Sequence, residues 1–318
     1  MVINGPTFCV CVVLCSFVLM GLAKASDENI VANASALVRA GKIHEAENLL
    51  RSASFAEPQS ARLHGELGAL LLREGYYEGA VEELGLAVQI DSTLNRYVLL
   101  LSESLIGWGH FGVAVDFLRA AEARVGRYPA YHYNLGLAYY NLNKKKDAES
   151  EFEKALHLAP HMYSSEFLLA TCLADEGNLH KALQLYRRLV KEQPKNATYW
   201  IGLAQALGQM GSEYGPEALK ACRHGLTLQP ENLHGQFVTA TILSQIGEFG
   251  AARPLLEHLE QLDPSAVYVH SALARVYKRL GEAELARQQA SLAIELQEQE
   301  RNRNGSNPQN SQSLPQSH

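Results

Sequence analysis

The chain has 318 residues, 47% of them hydrophobic, and its 28 Lys and Arg against 34 Asp and Glu give a formal net charge of -6. That is ample material for a core, and a mildly acidic chain without basic clusters makes a poor nucleic-acid binder, which needs cations to displace counterions from phosphates. No nucleophile elbow, phosphate loop or zinc-protease signature occurs in it, so neither an enzyme nor a cofactor or metal protein is expected.

The first 25 residues stand apart. Thr7 to Ala23 is uncharged and mostly apolar, yet short for a membrane span, which needs roughly 20 apolar residues. Ala23-Lys24-Ala25 puts small residues at the two places a signal peptidase requires, with Ser26 as the new N-terminus. The expectation is a secretory signal and an exported protein, periplasmic or secreted. Membrane attachment would come only through residues 1–25, left uncleaved. No Lys or Arg precedes the apolar run, a departure from the usual signal. Cys9, Cys11 and Cys15 would leave with this segment. Cys172 and Cys222 remain, at different places in non-equivalent helices, and read as buried free thiols rather than a disulfide.

From residue 27 onward one pattern recurs. Eight stretches follow one another: 27–60, 61–94, 95–128, 129–162, 163–196, 197–232, 233–266 and 267–300, all of 34 residues except the sixth, which has 36. The twentieth place is always alanine: Ala46, Ala80, Ala114, Ala148, Ala182, Ala218, Ala252 and Ala286. The eighth is always small: Ala34, Gly68, Ser102, Gly136, Ala170, Ala204, Ala240 and Ala274. The seventh is Leu67, Leu101, Leu135, Leu169, Leu203 and Leu273, with Asn33 and Thr239 as exceptions. Each stretch reads as two helices that approach closely where the side chains are small. The turn between them carries Gly41, Gly75, Gly109, Gly177, Gly211, Gly247 and Gly281, with Asn143 in the fourth. Pro58, Pro160, Pro194, Pro230 and Pro264 end second helices.

Two departures stand out. The sixth stretch holds its extra residues in Gly211–Pro216, read as a tolerated bulge in an exposed loop rather than a partner contact through Tyr214. Residues 301–318 are polar and without apolar periodicity, so disorder is expected there. His157 and His161 are four apart, but Pro160 lies between them, which argues against a shared metal face.

This pattern resembles the tetratricopeptide repeat, a 34-residue helix-turn-helix, over residues 27–300. The fourth stretch matches it best, through Leu135, Gly136, Tyr139, Ala148, Phe152, Ala155 and Pro160; Trp200 also sits where the family often has tryptophan. The resemblance implies an all-α fold, a right-handed superhelical solenoid of antiparallel helix pairs, with the first stretch as a polar N-terminal cap. It further implies that the first helices line a binding groove. The places facing that groove hold Leu99, Leu100, Tyr133, Asn134, Leu137, Tyr140, Phe167, Leu168, Thr171, Ile201, Gln205, Phe237, Val238 and Thr241. So apolar and aromatic a set points to a protein or peptide partner with apolar or aromatic side chains. The carboxylate clamp of chaperone-binding members is not expected, because Asn134 alone matches it.

The resulting expectation is a non-catalytic protein-binding scaffold. Two alternatives are an assembly component of a cell-envelope export or pilus machine, and a substrate-positioning subunit of an enzyme complex.

Overall fold

The computed structural model describes residues 27–305; the signal-like segment and residues 306–318 lie outside this range. The chain divides into two compact units, Met1–Ala138 and Tyr139–His318. Sixteen α-helices and no strand occur among the described residues. In the first unit these are residues 27–39 (α1), Ile43–Ala56 (α2), Ala61–Arg73 (α3), Tyr77–Ile90 (α4), Asn95–Gly107 (α5) and Phe111–Val125 (α6). Helix α7, Pro129–Asn141, runs across the division. The second unit holds Lys145–Leu158 (α8), Tyr163–Asp175 (α9), Leu179–Glu192 (α10), Ala197–Met210 (α11), Gly215–Leu228 (α12), Leu233–Gln245 (α13), Phe249–Leu262 (α14), Val267–Leu280 (α15) and Ala283–Gly305 (α16). Each of the eight sequence stretches supplies one first helix and one second helix, so the chain is an all-α solenoid of helix pairs.

Side-chain size explains the pairing. The alanines at the twentieth place, from Ala46 to Ala252, have no exposed surface. Opposite them the eighth place is buried from Ala34 to Ala240. A methyl group is already too large at Gly68, where a Cβ would stand 2.6 Å from Leu84 Cγ and 3.0 Å from its backbone nitrogen. Large residues fill the flanks: Leu67, Leu101, Leu135, Leu169, Leu203 and Leu273 are all buried, each worth about 1.5–3 kcal/mol relative to exposure. Asn33, at the same place of the first repeat, is polar and exposed. Ala274 and Ala286, in the eighth repeat, are half-buried.

The turns behave as the sequence predicts. Asn143 is the one non-glycine residue with positive φ among the described residues, at 58°, in line with Gly177 at 80°. Both close the first helix in the left-handed conformation that carries little penalty for glycine or asparagine. Second helices end at Ala56, Leu158, Glu192, Leu228 and Leu262, each two residues before its proline. The sixth repeat absorbs its extra residues in a 3-10 turn, Ser212–Tyr214, with Tyr214 half-buried. Cys172 and Cys222 are buried free thiols.

The proline also anchors the following helix, a relation the sequence reading did not anticipate. Its carbonyl accepts from the fourth place of the next repeat: Trp200 Nε1 donates to Pro194 at 2.8 Å and Gln236 Nε2 to Pro230 at 3.0 Å. His64 Nε2 does the same to Pro58 at 3.2 Å and His270 Nε2 to Pro264 at 2.9 Å. Glu166 occupies that place in the fifth repeat and cannot donate; it is fully buried and takes a two-pronged ion pair from Arg188 instead.

One expectation needs correction. Residues 301–305 belong to α16 rather than to a disordered tail. Glu298 replaces the stopping proline, and no Gly or Pro interrupts the run from Ala283 to Asn304, so the helix continues.

Candidate functional site

Successive first helices touch one another within each unit: α3 meets α5, while α9 meets α11, α11 meets α13 and α13 meets α15. Their outward side is the face on which the sequence places a groove.

In the first unit, Leu99 and Leu100 of α5 and Tyr133 and Leu137 of α7 are half-buried. Asn134 is buried. Its Nδ2 donates to Ser102 Oγ at 2.9 Å and to the Leu99 carbonyl at 3.1 Å, while Ser102 Oγ donates to that carbonyl at 2.7 Å. Asn134 therefore ties α7 to α5 and presents nothing to a ligand.

In the second unit, Tyr140, Phe167, Leu168 and Thr171 are half-buried. The Tyr140 hydroxyl donates to Asp175 Oδ2 at 3.1 Å, an oxygen that Lys145 Nζ also reaches at 2.9 Å. Burial, with Asp175 beside it, pushes the Tyr140 phenol up to about 12. Phe167 packs between Tyr199, tilted against it at 5.5 Å between ring centres, and Tyr186, edge-on at 5.8 Å, and Thr171 shares a 2.9 Å hydrogen bond with the Tyr186 hydroxyl. Gly202 of α11 makes room for this cluster: a Cβ there would lie 2.7 Å from Tyr186 and 3.0 Å from Phe167. Ile201 and Val238 are buried. These two, with Asn134, fill the contact between neighbouring first helices and are withdrawn from the open face.

The remaining three residues, Gln205, Phe237 and Thr241, are half-buried and border a cavity of about 170 Å³ between α11 and α13. Val238 and Ile242 form part of its wall. Gln205 Oε1 accepts from His234 Nε2 at 3.1 Å, and burial pushes the His234 imidazole down, favouring its neutral form. Phe237 meets Tyr268 edge-on, with ring centres 4.7 Å apart. Thr241 Oγ1 is buried without a hydrogen-bond partner. Gln209 and Gln245 also line this cavity and are exposed. Gln209, His234 and Gln245 were missed from sequence; their signal was a run of uncharged amide and imidazole residues at the edges of two successive first helices.

Burial pushes the Cys172 thiol up to about 12 and raises that of Cys222, so neither is a thiolate near neutrality. Among the described residues, no group of three His, Cys, Asp or Glu could hold a metal ion. No described helix is long and apolar enough to cross a membrane.

Sequence profiles described as "Tetratricopeptide repeat" match residues 31–94, 129–162, 146–207 and 267–291, together more than half of the chain. The chain belongs to the tetratricopeptide repeat family. It is similar to the BBSome complex member BBS4 of Bos taurus, with 25% identity over 255 residues, 76% of this chain and 49% of that protein. It is also similar to the protein O-mannosyl-transferase Tmtc3 of Drosophila melanogaster, with 26% identity over 47% of this chain and 16% of that protein. The chain thus spans about half the length of BBS4 and far less of Tmtc3. Among solved structures, a tetratricopeptide repeat protein from Parabacteroides merdae matches with a TM-score of 0.64 and 18% identity, over 79% of this chain and 99% of that one. PilF of Pseudomonas aeruginosa matches with a TM-score of 0.56 and 23% identity, over 67% and 96% of the two chains. These structural likenesses concern the tetratricopeptide repeat fold alone.

Proposed function

We propose that this tetratricopeptide repeat protein is a non-catalytic scaffold that receives a segment of another protein on its first helices, at α11 and α13. The observation that carries this reading is the cavity there: an aromatic wall at Phe237, the unpartnered Thr241 hydroxyl, and the exposed carboxamides of Gln209 and Gln245 at its edge. A carboxamide both donates and accepts, so it suits a partner's backbone, while a cavity of this size takes one apolar side chain. Capture of a partner by the full chain, compared with the variant Gln209→Arg/Gln245→Arg, tests it. Loss of that partner in the folded variant supports the reading; undiminished capture contradicts it.

A second reading, a stable subunit of a larger assembly, is favoured by the similarity to a BBSome complex member. It predicts co-purification at fixed stoichiometry through gel filtration, and a free chain throughout would count against it.

Export is also part of the proposal, resting on Ala23-Lys24-Ala25. N-terminal sequencing of the protein from its native source should begin at Ser26, and an intact Met1 would remove this part.

A further inference from the structure

A second cavity, of about 350 Å³, lies in the first unit on helices α1 and α3, at residues outside the expected groove set. Its origin is readable in the repeats. The ninth place carries Leu137, Thr171, Gln205 and Thr241 further along, but only Ser35 and Ala69 in the first two repeats. These short side chains leave the space between α1 and α3 unfilled. The floor is aliphatic: Val31, Ala34, Val38, Leu50, Ala69 and Leu70.

Three arginines line the same cavity: Arg39, Arg73 and Arg96, with Glu66 as the one carboxylate among the lining residues. Arg39 and Arg73 hold the same place of successive repeats, and all three are exposed. Glu66 is already engaged, accepting from Arg96 and, at 3.1 Å, from the Tyr97 hydroxyl. Arg73 reaches only its sequence neighbour Glu74, at 3.2 Å, and Arg39 pairs with no carboxylate among the described residues. In a chain of net charge -6 this is a local excess of cations over an aliphatic floor.

We propose that this cavity docks an acidic segment of a protein partner. An aliphatic side chain of the segment enters the floor, and its Asp or Glu carboxylates engage Arg39 and Arg73, whose guanidinium forks match a carboxylate's two oxygens. The proposal rests on the reading that first helices receive partners, and names the chemistry of a partner for the first unit. A nucleic acid makes no use of the aliphatic floor and meets a chain of its own sign. A lone chain terminus supplies one carboxylate, whereas these arginines sit on three successive first helices, α1, α3 and α5, and so suit acids spaced along a segment.

The test is fluorescence anisotropy with the full chain at low ionic strength. The probe is a fluorescein-labelled Gly-Glu-Glu-Leu-Glu-Leu-Gly peptide, amidated at its C-terminus. The proposal predicts saturable binding that salt weakens. Arg39→Glu/Arg73→Glu should weaken it about tenfold or more, and so should Ala69→Leu, which fills the floor without altering charge. Circular dichroism confirms folding; should Ala69→Leu prove unfolded, the exposed arginine variants decide. Peptides with Lys for Glu or Ser for Leu should not compete. Absence of saturable binding overturns the proposal, as does indifference to the arginine variants, or equal binding of the Ser-for-Leu peptide. Gln209→Arg/Gln245→Arg lies in the other unit and should leave this affinity unchanged. Loss through that variant would assign the peptide to the α11–α13 site and also overturn the proposal.

Discussion

Asn134 and Ser102 share a buried 2.9 Å hydrogen bond that joins the first helices of successive repeats, α7 and α5. Both side chains also bond the Leu99 carbonyl, so three polar groups satisfy one another out of water. Asn134→Ala leaves the others under-satisfied and should cost about 1–3 kcal/mol. Urea denaturation checks this, and the Asn134→Ala/Ser102→Ala double variant should lose less than the two single losses added.

Glycine at the helix crossing and glycine on an open helix side should behave in opposite ways. Gly68→Ala pushes a methyl into Leu84 and is expected to destabilise by about 1–3 kcal/mol. Gly85, inside α4, has nothing within 4 Å of a would-be Cβ. Gly85→Ala should stabilise by about 0.5–1 kcal/mol, because alanine loses less backbone freedom on folding. Thermal melts of the two variants would separate the cases.

The buried Glu166 depends on Arg188, whose nitrogens stand 2.6 and 2.7 Å from its two oxygens. Arg188→Ala strands that carboxylate; with the arginine half in solvent, about 2 kcal/mol of destabilisation is expected. Glu166→Leu/Arg188→Leu should recover most of the loss in chemical denaturation, since neither charge is then left inside.

Four tyrosines define the alkaline behaviour. Burial pushes Tyr97, Tyr140, Tyr186 and Tyr277 up from 10.0 to about 12, with carboxylates adding to it at Glu66, Asp175 and Glu257 for Tyr97, Tyr140 and Tyr277 respectively. The neutral phenol is the form the fold favours. Its contribution is complete below pH 10 and lost as pH rises toward 12. Phenolate absorbance should show a late-titrating group, and the urea midpoint should fall across that window, less steeply in Tyr186→Phe. One wave centred at the ordinary value would refute this.

The fold was legible because helix packing constrains residue size at fixed places: Ala148 and Leu135 announce their burial by recurring. Asn143 was legible for a related reason, since few residues tolerate a left-handed turn. The proline anchor was hidden because tryptophan, glutamine and histidine look unlike one another while sharing one N–H donor. The site was only partly legible. Neighbouring places on a first helix are about 100° apart, so the open face grades into the contact with the next helix. Asn134, Ile201 and Val238 fell on the contact side, a distinction that depends on partners such as Ser102 and Gly235 in other repeats. Residues 301–305 were misjudged on composition, although an uncapped helix with no proline stop continues.

Photo-crosslinking from the α11–α13 edge tests the central claim most directly. A photoreactive amino acid at Gln209 or Gln245 should yield one discrete crosslinked partner, and the same group at the exposed Lys220 of a second helix should not. Equal crosslinking from Lys220, or none from Gln209 and Gln245 in cells where Lys220 does crosslink, would contradict binding on the first helices.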